Sequence, residues 1–304
     1  MFSVVIPLYN KELSIINTIQ SVLDQTFQNF EIVVVNDGST DRSVEMVEQF
    51  NDPRIRIINK SNGGVSSARN RGIQEAKYEL VAFLDADDFW EPEYLYEMIK
   101  LIKEFPQAAI WGCSYDFYSN DNYHNNNNIE LDPFYRKEIL NYFEMAKTDM
   151  LFWSSAVIIN KSKAIKIGGF DERISIGEDL DMWLRLILNY PPPVYYNKIL
   201  THYNLDAPNR AMNRKHNYSN SFLFYIDKFK HWRKLNNDFA EFINLYLCFS
   251  FIDLFTYYDT NKKIIKNHKN KIDSKYISLK WKIYLKLPYL LKKILAHLHV
   301  KKRQ

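Results

Sequence analysis

Strand signals and helix signals alternate through the first hundred residues, and this alternation is the strongest constraint on the fold. The predicted strands are 3–8, 30–35, 55–58 and 80–84, and the predicted helices are 11–24, a segment capped by 39–41 that ends near Phe50, and 66–75. Strands that read as nearly continuous apolar runs are typical of parallel sheets, because helices cover both faces. The pattern therefore predicts an α/β fold with a mixed, mostly parallel sheet flanked by helices.

The rest of the chain is less regular. Further strands are predicted at 108–117, 153–159 and 194–196, a helix at 179–189, and a mobile surface loop in the Asn-rich stretch 119–128. Beyond residue 207 strand signals fade, and helices are predicted at 222–235 and 239–258. We therefore expect an α/β domain, 1–205, followed by a C-terminal helical region, 206–304.

The net charge of +4 hides an asymmetry between the two ends of the chain. Residues 261–304 contain 14 Lys and Arg and one acid, Asp273, which leaves 26 basic and 35 acidic residues in 1–260. Basic and apolar residues interleave in 276–304, which predicts a helix broken at Pro288 that lies on an anionic membrane surface. The alternative is a helical hairpin packed on the first domain, and sedimentation with anionic vesicles would distinguish the two. No motif indicates nucleic acid.

The sequence favours a cytoplasmic protein, at most peripheral to the inner face of the cell membrane. Cys113 and Cys248 lie in apolar settings without metal-ligand spacing, so buried thiols of a reducing compartment are expected. A strand begins at Phe2 with no basic region before it, unlike a signal peptide. No apolar stretch reaches the roughly 18 residues that a spanning helix needs.

An apolar run of strand length ends in three carboxylates at 80–88, with the sequence LVAFLDADD. Open α/β sheets bind ligands at the carboxyl ends of their strands, so Asp85, Asp87 and Asp88 should face a ligand. Clustered carboxylates repel one another, and oxygen ligands of this kind suit Mg²⁺ or Mn²⁺ that also contacts phosphates. The alternative is an acidic loop in which Asp88 caps the helix after Pro92.

The ends of the first two strands carry an aromatic and an acidic side chain. Tyr9 follows the first strand, and Asp37 follows the second within 36–39, NDGS. A tyrosine face can stack on a flat base, while a carboxylate can accept a hydrogen bond from a base or ribose. The alternative is an ordinary turn, because Asn, Asp, Gly and Ser favour turns.

Two glycines precede the helix predicted at 66–75. In 62–70, NGGVSSARN, Gly63 and Gly64 permit close backbone approach, and the helix N terminus favours a phosphate. A flexible turn before a capped helix would look the same. Arg69 could equally pair with a local acid.

Acids also crowd the beginning of the helix in 176–185, IGEDLDMWLR. The helix dipole stabilises negative charge there, and a carboxylate facing a cleft could act as a general base toward a hydroxyl. The alternative is acidic capping of an amphipathic helix.

These segments, in this order and spacing, resemble the GT-A fold glycosyltransferases of family 2, an inverting class that uses nucleotide sugars. The matching blocks are 3–10, 36–41, 63–70, 83–88 and 177–179, within a resemblance that covers 1–205. The resemblance implies a Rossmann-like GT-A sheet with a C-terminal helical extension.

The resemblance also implies a role for each matching position. The residues expected to bind the nucleotide sugar are Pro7, Tyr9, Asp37, Gly64, Arg69, Asp85 and Ala86. Asp87 is expected to bind a Mn²⁺ or Mg²⁺ ion that bridges the diphosphate. Asp179 is the expected general base, with Glu178 and Trp183 on the acceptor side.

One block departs from the family pattern. Many relatives carry Tyr-Arg-x-His after the last core strand, near the diphosphate, whereas 203–206 here read YNLD and lack both the Arg and the His. His202 and Arg210 lie nearby in sequence and are candidates to substitute.

The function implied is transfer of a sugar, with inversion, from a nucleoside-diphosphate sugar to a hydroxyl of a saccharide or lipid-linked acceptor. UDP is the expected nucleotide, and bacterial surface polysaccharide synthesis is the expected setting. The alternatives are a degenerate nucleotide-sugar-binding or membrane-scaffold protein and a nucleotidyltransferase. The last would carry a glycine- and basic-rich loop after strand one, where 7–11 read PLYNK; a dehydrogenase is disfavoured because no G-x-G-x-x-G follows that strand.

Overall fold

The computed structural model describes residues 1–120, 122–125, 132, 135–147, 150–207, 217–254, 258 and 261–286. The chain divides into two compact units. The first comprises Met1–Tyr142, Asp149–Glu172 and Glu178–Pro208, and the second comprises Phe143–Thr148, Arg173–Gly177 and Asn209–Gln304. The functional domains expected at 1–205 and 206–304 stay predictions.

The secondary structure runs through both units. In chain order the strands are β1 (Phe2–Leu8), β2 (Phe30–Asn36), β3 (Ile55–Asn59), β4 (Leu80–Phe83), β5 (Phe89–Trp90), β6 (Ile110–Ser119), β7 (Asn122–Asn125), β8 (Arg136–Glu138), β9 (Val157–Asn160) and β10 (Val194–Asn204). The helices are α1 (Ile15–Leu23), α2 (Ser43–Glu48), α3 (Val65–Glu75), α4 (Tyr94–Glu104), α5 (Tyr142–Met145), α6 (Lys161–Lys166), α7 (Glu178–Asn189), α8 (Phe222–Tyr225), α9 (Lys230–Leu235), α10 (Asn237–Asp253), α11 (Lys262–Asn270) and α12 (Leu279–Tyr284).

The strands of the first unit form one sheet in the order β3-β2-β1-β4-β9-β6-β10-β5, with β7 beside β6 and β8 beside β10. Strands β3, β2, β1 and β4 are parallel neighbours, and β6 and β10 form a second parallel pair. Strand β9 joins the two groups, antiparallel to both β4 and β6. The predicted fold class, a mixed and mostly parallel sheet flanked by helices, is confirmed.

Strands β1, β2 and β4 are apolar because both of their faces are covered. On β1, Val4 and Ile6 belong to the same buried cluster as Ile15 and Ile19 of α1. Val5 points the other way, against Gly72 of α3. The parallel register pairs Leu8 with Asn36 and Val5 with Phe83, so the residues that follow these strands meet at one edge of the sheet.

Helix α1 was predicted from Lys11 but begins at Ile15, and the reason is a set of loop contacts. Asn10 has a positive φ of 53°. The backbone N–H of Lys11 donates to Ser43 Oγ at 2.7 Å, and that of Glu12 donates to Asp41 Oδ2 at 3.2 Å. Asp41 also accepts from its near neighbour, the Ser43 N–H, at 3.0 Å. Asp41 of the predicted 39–41 cap thus bonds the first N–H of α2, although the helix begins only at Ser43 and Arg42 occupies the N-cap position.

Other predicted boundaries shift where short turns interrupt a regular pattern. A 3₁₀ turn occupies Ser154–Ala156 before β9, and another, Ile226–Phe229, splits the helix predicted at 222–235. The stretch 119–128 was predicted to be a loop, but Asn122–Asn125 pairs antiparallel with β6 as β7. Residues 121 and 126–128 lie outside the described residues.

The second unit is helical and has an aromatic core. Phe143, Phe229, Phe239 and Phe242 are buried together, with ring centroids 5.0 Å apart between Phe143 and Phe239. Of the expected membrane segment 276–304, residues 287–304 with Pro288 lie outside the described residues, so this membrane contact stays a prediction. In the ranges that the structure describes, every helix is too short or too polar to cross a bilayer.

Gly72 should resist substitution, because a Cβ built there would lie 2.2 Å from Val5 Cγ1. We expect Gly72→Ala to lower the free energy of unfolding by about 1–3 kcal/mol, despite the better helix propensity of alanine, since the sheet cannot move away. Urea unfolding measures this. Gln74→Ala, at an exposed position of α3, is the control and should change stability by about 0.5 kcal/mol or less. Equal stability of the two variants would contradict the packing argument.

Candidate active site

The acidic loop that follows β4 is held from three sides. Its Asp85 N–H donates to Ser155 Oγ at 3.1 Å, and the Ala86 carbonyl accepts from Ser14 Oγ at 2.8 Å. Asp88 is buried, where its carboxylate accepts from Ser155 Oγ at 2.5 Å and from the Asn204 N–H at 3.3 Å. Burial, with Asp87 and Asp85 nearby, raises the pKa of Asp88 well above its usual value. Asp88 therefore anchors the loop and does not cap α4.

Asp87 lies at the mouth of this loop and accepts a hydrogen bond from the ammonium of Lys11. Burial raises the pKa of Asp87, while the Lys11 charge opposes that change. Lys11 follows β1 by three residues, so the ends of β1 and β4 are joined by an ion pair at the carboxyl edge of the sheet.

Arg69, on α3, bridges the acidic loop and the beginning of α7. Its Nη2 donates to Asp85 Oδ1 at 2.7 Å, and its Nη1 donates to Glu178 Oε1 at 2.9 Å. The Arg69 side chain is only 3% exposed and packs over the Phe170 ring. Although burial alone would lower the pKa of Arg69, the two carboxylates raise it above its usual value. Arg69 thus brings together three of the segments that the sequence singled out.

Asp179 is next to Glu178 at the start of α7, and its carboxylate accepts from the Leu180 N–H at 2.7 Å. In the described ranges no basic side chain forms an ion pair with it. Burial and the adjacent Glu178 charge raise the pKa of Asp179 to about 7, against a lowering by Arg69. Asp181, and not Asp179, stabilises α7 through a 2.7 Å ion pair with Arg185.

Asp37 links two loops at the carboxyl edge of the sheet. Its carboxylate accepts from the Gly63 N–H at 2.9 Å, from the Gly64 N–H at 2.8 Å and from the Lys60 ammonium. The second and third blocks of the sequence therefore form one loop pair. Asp37 is not a simple turn residue, because its hydrogen bonds hold a segment 26 residues further along the chain.

The surface beside Asp37, at Tyr9 and Gly64, is open. Its N–H donates to the Leu8 carbonyl at 2.8 Å, which sets it beside the end of β1, where Pro7 is half-buried and Tyr9 is 44% exposed. Gly64 has φ +87°, and a Cβ there would meet nothing within 4 Å. A flat ring could therefore reach Tyr9, and a phosphate could reach the backbone before α3.

The surroundings of three expected ligand contacts limit what each residue can offer. Trp183 is 1% exposed and packs on Phe83 and Phe170 at centroid distances of 6.0 and 5.7 Å, so its indole belongs to the core, and its place on the acceptor side stays a prediction. Ala86 is buried and offers only its backbone, and Arg69 is committed to two carboxylates.

The candidate substitute for the missing family histidine has other partners. The ring nitrogens of His202 lie 2.6 Å from Asp116 Oδ1 and 2.8 Å from Glu91 Oε1. Burial would lower the pKa of His202, but these carboxylates raise it on balance. His202 therefore holds the β5, β6 and β10 ends together, and neither ring nitrogen is available to a diphosphate. Arg210 lies outside the described residues.

Lys11 and Lys60 were missed as site residues. Each one stands just beyond the end of a strand of the parallel sheet, β1 for Lys11 and β3 for Lys60. That position, opposite acids at the ends of neighbouring strands, is the signal that could have identified them.

The acidic loop fits a divalent cation only when substrate phosphates supply further oxygen ligands to that cation. Among the described residues, no three His, Cys, Asp or Glu side chains gather as a metal cage. Mg²⁺ and Mn²⁺ commonly use one or two carboxylates plus substrate phosphates, which Asp87 and Asp85 could supply. The Lys11 ammonium against Asp87 indicates that a cation can be accommodated there.

Comparisons with known proteins agree with this geometry. The model of the family described as "Glycosyl transferase family 2" matches residues 3–173. Chondroitin synthase of Pasteurella multocida is 29% identical over 257 residues, 81% of this chain and 25% of that protein. Glycosyltransferase GlyA of Streptococcus pneumoniae is 33% identical over 214 residues, 67% of this chain and 30% of that protein. The chain thus spans less than a third of the length of these two relatives.

Solved structures support the same fold. The crystal structure of Staphylococcus aureus TarS 1–349 in complex with UDP-GlcNAc superimposes with a TM-score of 0.61 at 20% identity. The match covers 97% of this chain and 79% of that chain.

Removing the Arg69 charge should destabilise the protein, because Asp85 and Glu178 would lose their shared partner. We expect Arg69→Met to lower the free energy of unfolding by roughly 1.5–3 kcal/mol, the range for hydrogen bonds to charged groups. Urea unfolding at pH 7.5 is the measurement. Arg71→Met is the matched control, since the Arg71–Glu75 pair is an exposed i,i+4 pair worth about 0.5 kcal/mol or less. Similar losses in both variants would contradict the bridging role.

Proposed function

The chain belongs to glycosyl transferase family 2, and from this premise we propose that it moves a sugar from a nucleoside-diphosphate sugar to a hydroxyl of an acceptor, with inversion at the anomeric carbon. The observation that carries the proposal is the Arg69 bridge, which brings the acidic loop of the expected donor site and Asp179, the expected base, to one edge of the sheet. A donor and an acceptor bound there would meet between these carboxylates.

The donor proposed is a uridine diphosphate sugar. TarS, which shares the fold, has been crystallised with UDP and with UDP-GlcNAc. In this chain Tyr9 offers an exposed ring for the base, and the carboxylate of Asp37 lies at the end of the neighbouring strand, 3% exposed and bonded to Lys60 and two backbone N–H groups. Because the Lys60 ammonium already contacts Asp37, a base that donates to this carboxylate would exchange with Lys60.

Asp87 is proposed to hold Mn²⁺ or Mg²⁺ together with the diphosphate. Such an ion, when bound, would offset the negative charge that develops on the departing nucleoside diphosphate. Lys11 would have to release Asp87, and its ammonium would remain within reach of the phosphates. Asp85, paired with Arg69, would stay in place to contact the ribose or sugar.

Asp179 is proposed to be the general base. As the acceptor oxygen attacks the anomeric carbon, its proton passes to the Asp179 carboxylate, and the bond between that carbon and the phosphate oxygen breaks. The attack comes from the face opposite the leaving group, so one displacement inverts the centre. A pKa of about 7 suits this task, because a base works best when its pKa lies near the operating pH.

The acceptor proposed is a hydroxyl of a saccharide, free or lipid-linked, in polysaccharide synthesis. The support is that similar proteins include a chondroitin synthase and a hyaluronan synthase of Pasteurella multocida. A panel of nucleotide sugars, screened with Mn²⁺ and saccharide acceptors for release of nucleoside diphosphate, tests the proposal. Binding without turnover across that panel would favour the degenerate sugar-nucleotide-binding alternative.

Asp179→Asn should abolish transfer but leave nucleotide binding intact, because the amide cannot accept the proton. We expect a loss of about 10²–10⁴-fold in kcat, the usual contribution of general-base catalysis. Steady-state kinetics measures this, and calorimetry with UDP checks binding. The control is Asp24→Asn, at an exposed position after α1. Asp181→Asn is unsuitable as a control, because Asp181 forms a structural ion pair with Arg185.

The same base gives the pH dependence a defined sign. Asp179 must be unprotonated to act, so kcat/KM should fall as the pH drops through about 7 and level off above it. A wild-type rate that stays constant from pH 5.5 to 8.5, or an Asp179→Asn enzyme with the full rate, would rule out this base.

Lys11 and a divalent cation should compete for Asp87. Lys11→Met should bind Mn²⁺ about tenfold more tightly in the absence of nucleotide, because a charge-assisted contact no longer has to be broken. Asp87→Ala should lose Mn²⁺ binding. Titration of free Mn²⁺ by electron paramagnetic resonance measures both.

The matched control for this titration is Lys60→Met. It removes the same charge, but from Asp37 and not from Asp87, and it should bind Mn²⁺ as the wild type does. If Lys11→Met and Lys60→Met bind Mn²⁺ equally, Lys11 does not occupy the metal position.

A further inference from the structure

The second unit contains a basic pocket of about 540 Å³ that no step of glycosyl transfer uses. Four basic and two acidic side chains line it: Lys230, Arg233, Lys234, Lys271, Asp227 and Asp273. The lining therefore carries two more positive than negative charges. Protein groups compensate these positive charges only in part.

Arg233 is anchored by one nitrogen and leaves the rest of its guanidinium free. Its Nη2 donates to Asn244 Oδ1 at 3.1 Å and to the Lys271 carbonyl at 3.1 Å. Asn244 is fully buried and accepts from the Asp273 N–H through the same oxygen at 2.6 Å, so the anchor is rigid. Within the described ranges, Nε and Nη1 of Arg233 have no protein acceptor. Burial lowers the pKa of Arg233, as expected for a charge that its surroundings compensate only in part.

The acids of the pocket compensate Arg233 of α9 only in part, because Asp273 and Asp227 act on its charge without forming an ion pair with it in the described ranges. Asp273 accepts from the Lys275 N–H at 2.9 Å and so caps the turn that follows it. Asp227 lies 3.8 Å from the Lys271 ammonium. That ammonium is also committed, because it donates to the carbonyls of Leu223 and Phe224 at 2.8 and 2.7 Å. In the part of the chain that the structure describes, Lys230, Arg233 and Lys234 form no ion pair.

These three residues lie on one face of α9. Lys230 is three residues before Arg233 and four before Lys234, and side chains at those spacings are neighbours on a helix. Like charges at such positions destabilise a helix, so the arrangement has a cost unless an anion shares it.

We propose that this pocket binds a phosphate group, as a monoester or a diphosphate. Nε and Nη1 of Arg233 provide separate N–H donors for phosphate oxygens, and Lys230 and Lys234 add point charges beside them. A phosphomonoester carries a charge of about −1.5 to −2 at pH 7, which matches the excess of the lining. The volume leaves room for the molecule that bears the phosphate. The site is independent of the function proposed for the first unit.

The test uses the full chain and two probes, inorganic phosphate and vesicles of phosphatidylcholine with phosphatidic acid. The variant is Lys230→Gln/Lys234→Gln, in which both positions are exposed, so folding should be preserved. Lys262→Gln/Lys263→Gln, exposed residues of α11 that do not line the pocket, is the matched control with the same change of charge. Calorimetry at constant ionic strength follows phosphate, and sedimentation follows the vesicles.

We expect the pocket variant to bind at least one probe tenfold or more weakly than the control does. Loss with inorganic phosphate identifies a soluble phosphate compound as the source, and loss with phosphatidic acid vesicles alone identifies a lipid headgroup. Equal binding by the pocket variant and the control with both probes overturns the proposal. Arg233→Lys, which keeps the charge but loses the Nε and Nη1 donors, should weaken the same probe as the lysine variant does, and wild-type affinity in it would remove Arg233 from the site.

Discussion

The buried guanidinium of Arg69 is the interaction on which the geometry of the candidate site depends. Two segments that are distant in sequence, the loop after β4 and the first turn of α7, each present a carboxylate to it. Carboxylates held this close repel one another, and the repulsion grows as water is excluded. A buried cation that donates to both therefore allows acids from two parts of the chain to converge. Arg69 contributes to the site by fixing its acids, because its guanidinium is paired with both of them.

The same charge pattern explains why Asp179 differs from the other acids. Asp37 is paired with Lys60, Asp85 with Arg69, and Asp87 with Lys11. Asp179 shares only the field of Arg69, whose hydrogen bonds go to its neighbours, and it stands beside another carboxylate. Burial, with the adjacent Glu178 charge, therefore raises its pKa to about 7, whereas an ion pair of its own would favour the charged form. Asp88 also has no ion pair in the described ranges, but it is 1% exposed and anchors the loop, so Asp179 is the carboxylate suited to accept a proton.

Much of this arrangement could be predicted from the sequence, because the buried strands determine where the residues that follow them lie. An apolar run buried on both faces must end at the sheet edge, so Asp37 and Asp85 had to lie at one rim. The failures arose where tertiary contacts decide. Helical spacing alone cannot tell that Trp183 turns toward Phe83, and sequence proximity could not reveal that His202 is held between two carboxylates.

The pairing of charged side chains also indicates what kind of ligand suits each unit. At the edge of the sheet, Lys11 and Lys60 already pair with Asp87 and Asp37, whose side chains are 12% and 4% exposed, so an incoming cation or hydrogen-bond donor would replace protein groups that already mimic it. In the second unit the imbalance has the opposite sign, because four basic side chains of the pocket face two acids, and Nε and Nη1 of Arg233 have no acceptor among the described residues. A divalent cation that accompanies a diphosphate suits the first site, and an anion alone suits the second. This difference follows from the partners of individual side chains, and the net charge of the chain does not reveal it.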